Sequence, residues 1–90
     1  MSFELFTTRQ FEKDMKKLAL NRPKFIKLKN AIEILSQKGT LPFVPYKTHK
    51  LKGDYKDCLE AHIEPDLLII WLIDDSVIRL IRCGSHAELF

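Results

Sequence analysis

The run Leu67–Ile73, read Leu-Leu-Ile-Ile-Trp-Leu-Ile, constrains this chain more than any other segment. It is apolar without a break and lies between two turn signals, Glu64-Pro65-Asp66 and Asp74-Asp75-Ser76. It is far too short to cross a bilayer. A short run that is apolar on both faces reads as the central strand of a sheet. Cys58–Ile63 before it and Val77–Cys83 after it read as its neighbours, so the second half of the chain is predicted to be a three-stranded antiparallel meander.

The first half carries helical spacing. Ser2–Thr7 reads as a short opening strand, and Thr7 or Thr8 can cap the helix that follows, since a hydroxyl oxygen satisfies an orphan N–H of the first turn. Phe11, Met15, Leu18 and Ala19 form one apolar stripe. Asn21-Arg22-Pro23 breaks that helix, and Pro23 suits the first turn of the next. There the stripe is Phe25, Leu28, Ile32 and Leu35 with Ala31 beside it, and Gly39 suits the C′ position because it tolerates positive φ. Periodicity fails between residues 40 and 56, which read as a basic loop, and residues 84–90 read as a tail. The order β-αα-βββ predicts an α+β fold, an antiparallel sheet with a helical hairpin packed on one face, in a single domain spanning 1–90. Leu18, Leu28, Ile32, Leu35, Ile69 and Trp71 are core candidates.

With 90 residues, 46% hydrophobic and 30% charged, the chain is rich enough in apolar side chains to exclude disorder. No basic segment followed by an apolar one opens the sequence, so no export signal and a cytoplasmic location are expected. Cys58 and Cys83 are then expected as buried, reduced thiols. The net charge of +3 is unevenly spread. Residues 9–29 hold eight Lys or Arg against Glu12 and Asp14, whereas residues 57–75 hold six Asp or Glu and no Lys or Arg. A basic half suits a polyanion such as RNA or DNA.

Alternation along Cys58–Ile63 puts Leu59, Ala61 and Ile63 toward the helices and Glu60 and His62 on the opposite face. Asp66 follows across the Pro65 turn, and the meander can bring His86 beside them; His49 lies in the basic loop. Histidines grouped with carboxylates can perform acid–base chemistry near neutral pH. No H-E-x-x-H or C-x-x-C spacing is present, so neither a metal nor another cofactor is expected.

Three blocks carry a resemblance: Tyr46-Lys47-x-His49-x-Leu51-x-Gly53, then Glu60-Ala61-His62-Ile63-Glu64-Pro65-Asp66-Leu67-Leu68, then Arg82-x-Gly84-Ser85-His86-x-x-Leu89-Phe90. In this order they resemble the YafQ-like branch of the RelE/ParE toxins of type II toxin–antitoxin pairs, over essentially the whole chain. The resemblance implies an mRNA interferase, an endoribonuclease acting in the ribosomal A site and restrained by a cognate antitoxin. It implies catalytic roles for His49, His62, Asp66 and His86. Glu60, Lys50, Lys52, Arg82 and Phe90 are expected to contact RNA, the cations at phosphate and Phe90 by stacking. His86 is expected as general acid and His49 as base, with His62 and Asp66 the alternatives for the base. Relatives often carry Arg where this chain has Leu59. A gyrase-binding ParE-like toxin on the same fold, or a catalytically weak homologue that only binds antitoxin and represses transcription with it, are the rival readings.

Overall fold

The computed structural model describes residues 2–90. In chain order it contains β1 (Glu4–Thr7), α1 (Arg9–Leu18), α2 (Arg22–Lys38), a short irregular turn α3 (Phe43–Tyr46), β2 (His49–Lys50), a 3-10 turn (Gly53–Tyr55), β3 (Leu59–Glu64), β4 (Leu67–Asp74), β5 (Val77–Gly84) and α4 (His86–Leu89).

Local chemistry sets the helix ends. Thr8 caps α1: its hydroxyl oxygen accepts the Phe11 N–H at 3.0 Å and its O–H donates to the Ile81 carbonyl at 2.8 Å. A cap of this kind is worth about 1 kcal/mol, and here it also fixes α1 to β5. The Asn21 side chain caps α2 by accepting the Lys24 N–H at 3.3 Å, with Pro23 in the first turn. Gly39 closes α2 at φ +78°, where a Cβ would stand 2.6 Å from the Phe3 ring. Only glycine satisfies both the handedness and the contact.

The predicted meander is present, with β4 paired antiparallel to β3 and to β5. The sheet is nevertheless mixed and wider than predicted, in the order β1-β5-β4-β3-β2. β1 runs parallel to β5, with Glu4 opposite Val77, because the rest of the chain lies between them as the crossover that parallel pairing requires. β2 extends the other edge from within the segment read as a loop; at two residues it is too short to show a period. The tail is ordered too, as the single turn α4.

On the helix side, Phe11 from α1 and Leu28, Ala31 and Leu35 from α2 close over Ala61, Ile69, Trp71, Ile78 and Leu80. Trp71 has no exposed surface. Each large side chain so buried contributes about 1.5–3 kcal/mol. Leu18 and Ile32 are only half-buried, and Ala19 lies exposed just past the end of α1. A second buried cluster, Cys58, Leu68, Ile70 and Leu89, occupies the other face, with Leu51 and Tyr55 packed on it. This explains the two-faced apolar run: Ile69 and Trp71 serve the helices, and Leu68 and Ile70 serve a cover made by the 51–58 segment and α4. The helical hairpin alone would leave that face open. Among the described residues, no helix is long and apolar enough to cross a membrane.

Candidate active site

β2 sets His49 directly opposite Glu60, and His62 follows two residues along β3 on the same face. Glu60 is 4% exposed and His62 half-buried. Leu59 packs on the helix side as alternation predicts, so its side chain stays away from the histidines.

The third histidine arrives from β5. Gly84 turns the chain at φ +148°, a conformation that disfavours any Cβ; one placed there would stand 2.9 Å from Glu88 Oε1. Ser85 then caps α4 in a reciprocal box with Glu88. His86 is the first residue of that turn. Asp66, in the β3–β4 turn, accepts both the His86 backbone N–H at 2.9 Å and its ring Nδ1–H at 2.7 Å through one oxygen, Oδ1. Those two hydrogen bonds, the backbone one first, hold the Asp66 carboxyl below the usual carboxylate range.

The three rings form a row. The His49 and His62 centroids are 6.1 Å apart, and those of His62 and His86 are 5.7 Å apart. Each outer ring is fixed by a carboxylate. His49 Nε2 lies 3.1 Å from Glu60 Oε1, and its Nδ1 lies 2.9 Å from the Lys47 carbonyl. A carbonyl only accepts, so Nδ1 carries a hydrogen. In His86, Asp66 occupies Nδ1, and Nε2 has no hydrogen-bond partner among the described residues. The buried Nδ1 of His62 likewise has none among them. Beside this row lies a cleft of about 400 Å³ lined by Pro45, Lys47, His62, Ile63, Glu64 and Pro65. A cleft of about 420 Å³ walled by Met15, Ala19 and Phe25 is lined also by Glu12 and Lys16 and by none of the histidines.

The four residues expected to be catalytic, His49, His62, Asp66 and His86, therefore come together, with Glu60 among them. The expected RNA contacts are placed less uniformly. Lys50 pairs with Leu59 across the strands, so alternation turns it away from the face of His49, and Lys52 lies exposed beyond β2. Phe90 is 64% exposed and meets the Tyr55 ring edge-on at 5.6 Å. Arg82 donates through Nε and Nη2 to Asp14 of α1, at 2.9 and 3.2 Å. This pairing, first among the causes, raises its pKa. Asp14 also accepts the Cys83 backbone N–H at 3.2 Å. Sequence reasoning missed Lys47, whose carbonyl orients His49 and which lines the cleft, and it missed Asp14, Ser85 and Glu88. The Ser85-x-x-Glu88 spacing is a legible capping-box signal; nothing in the sequence announces Asp14.

Three surface carboxylates gain from their partners. Glu88 is lowered to about 2 by the Lys17 hydrogen bond first and the Ser85 N–H next. Glu64 is lowered by Lys27, and Asp66 by His86. A carboxyl lowered on folding stabilises the fold above its unfolded pKa, and that contribution vanishes as pH falls through the folded value. Stability is thus expected to hold down to about the ordinary carboxylate range of pH 4–4.5 and then decline toward pH 2. Thermal melts between pH 6 and 2 test this, and an unchanged decline in Glu88→Gln would remove Glu88 from the explanation.

Among the described residues, no three His, Cys, Asp or Glu side chains converge at metal-ligating distance. Over residues 3–90 the chain matches the family described as "Bacterial toxin of type II toxin-antitoxin system, YafQ". It is 42% identical over 83 residues to the mRNA interferase toxin YafQ of Escherichia coli strain K12, which covers 90% of this chain and 88% of that one. The Escherichia coli DinJ–YafQ toxin–antitoxin complex matches it with a TM-score of 0.87 at 33% identity, over 100% of this chain and 99% of the other. A metal-bound toxin from Helicobacter pylori matches with a TM-score of 0.83 at 37% identity, over 98% and 99% of the two chains.

Proposed function

The chain belongs to the YafQ family of bacterial type II toxin–antitoxin toxins, and from that premise we propose that it is an mRNA interferase that cuts RNA by attack of a ribose 2′-OH. The observation that carries the reading is the row of three imidazoles whose outer members are each held by a carboxylate, Glu60 at His49 and Asp66 at His86.

RNA supplies its own nucleophile, so the protein has three tasks: to take a proton, to give one, and to hold the attack in line. The 2′-oxygen forms a bond to phosphorus, its proton passes to the enzyme, the bond from phosphorus to the 5′-oxygen breaks, and the departing oxygen takes a proton. The products are a 2′,3′-cyclic phosphate and a 5′-hydroxyl. His86 suits the acid. Asp66 fixes its Nδ1–H, so Nε2 is the nitrogen available to the leaving group. The His49–Glu60 pair suits the base: the Lys47 carbonyl fixes a hydrogen on His49 Nδ1, which leaves Nε2, 3.1 Å from Glu60 Oε1, as the nitrogen that takes the proton. Asp66 is less suited, since both its bonds to His86 are already made. His62 stands between acid and base, where a bridging phosphate would lie. Lys47 at the cleft supplies positive charge, joined by Lys50 and Lys52 along the strand of RNA leading away. Phe90 offers a ring face for a base to stack on.

Escherichia coli YafQ pairs with DinJ, and the same kind of partner is proposed here: an antitoxin with an acidic segment that meets the basic helices or the Lys47–Lys56 region. The proposed setting is the ribosomal A site in the cytoplasm.

Purified protein added to ribosomes programmed with a defined mRNA is expected to cut that message to fragments ending in a 2′,3′-cyclic phosphate. Fragments ending in a 3′-hydroxyl and a 5′-phosphate would overturn attack by the 2′-OH. Intact message together with inhibited DNA gyrase would overturn the ribonuclease reading in favour of a ParE-like one.

A further inference from the structure

His86 is carried by a helix of one turn, His86–Leu89, which is far below the length at which a helix holds itself together. Something else must fix the ring. Asp66 grips it from the β3–β4 side, through the backbone N–H and Nδ1. The opposite grip is Glu88. Its Oε1 accepts the Ser85 backbone N–H at 2.9 Å and the Ser85 hydroxyl at 3.0 Å, while the Ser85 hydroxyl oxygen accepts the Glu88 N–H at 3.3 Å. Its Oε2 is bound by Lys17 of α1. The bare α-carbon of Gly84 leaves the room that the carboxylate fills.

From this arrangement we propose that Glu88 is a positioning residue for His86: by closing the Ser85 box it holds α4 in the one orientation that lets the imidazole reach Asp66. The inference rests on His86 acting as the acid. The Lys17 pair is exposed, and such pairs contribute little alone, so the reciprocal box carries the effect and Lys17 only orients the second oxygen. The carboxylate is also the ionised form over the whole range in which an imidazole titrates, since it is lowered to about 2. Its grip therefore does not change while His86 cycles its proton. A reacting group displaced by about 1 Å can cost about 10²-fold, so partial loosening of α4 is expected to cost about tenfold.

The test compares Glu88→Ala, Glu88→Gln and His86→Ala in the full chain. Glutamine also serves in a capping box, so it separates the box from the charge. Glu88→Ala is expected to lower kcat about tenfold with KM nearly unchanged, and to shift the His86 Nδ1–H signal in ring nitrogen–proton correlation spectra. Glu88→Gln is expected to keep both close to the parent values, and it keeps the test valid if the alanine chain folds poorly. The proposal is overturned if Glu88→Ala keeps the His86 signal and kcat while His86→Ala is inactive. It is also overturned if Glu88→Gln is as impaired as Glu88→Ala, because the box would then not be the agent. An active His86→Ala overturns the acid assignment instead, and is recognised without any Glu88 variant.

Discussion

Replacing His86 with Ala is expected to slow cleavage about 10²–10⁴-fold, the usual loss when a general acid is removed. The fold should survive, because the His86 side chain is 53% exposed and lies outside both buried clusters. What is lost is the proton for the departing 5′-oxygen, a poor leaving group as the bare anion. A substrate carrying sulfur at that 5′ position leaves well without a proton, so it should recover most of the lost rate. Asp66→Asn should fall between the parent and His86→Ala. Asparagine keeps an oxygen that can accept the Nδ1–H but removes the negative charge beside the ring. Measuring single-turnover cleavage of paired oxygen and sulfur substrates decides the matter. A His86→Ala protein that sulfur does not rescue has lost something other than its acid.

Glu60→Gln is expected to produce a loss of similar size, about 10²–10⁴-fold, with no rescue by the sulfur substrate. The amide has nearly the shape of the carboxylate. It removes the negative charge 3.1 Å from His49 Nε2 that balances the proton taken from the 2′-OH. Glutamine is a cleaner probe here than removal of His49. Glu60 is 4% exposed, and stripping away its partner leaves a buried, unpaired charge that destabilises in its own right. Sulfur rescue of Glu60→Gln or His49→Ala, together with none for His86→Ala, would show that the two ends of the row have exchanged roles.

The grouping of His62, Asp66 and His86 was legible from local character, with His62 on an alternating strand, Asp66 at a Pro turn and His86 after a glycine; the catalytic roles, and the place of His49 among them, came from the resemblance carried by the three blocks. Their partners were harder to see. Alternation set Glu60 on the face of His62 but says nothing of burial; only pairing with β2 sets it opposite His49 and buries it. Arg82 read as a phosphate clamp because its charge is plain in sequence, whereas Asp14, which engages it, lies 68 positions away. Lys50 read as part of the site, but the register of a two-residue strand turns it aside.

The sequence by itself determined the helical hairpin, the antiparallel meander and the face on which Glu60 and His62 stand, because periods of 3.6 and 2 are local properties written into consecutive residues. Tertiary structure decided the rest. It paired β1 parallel to β5, added β2 to the far edge, and folded the 51–58 segment and α4 over Leu68 and Ile70. Those choices join residues far apart in the chain, and they are settled by which apolar surface remains to be covered once the local elements exist. The run Leu67–Ile73 declared that both its faces needed covering. Which segments would cover the second face, and so carry His49 and His86 to His62, was a matter of packing.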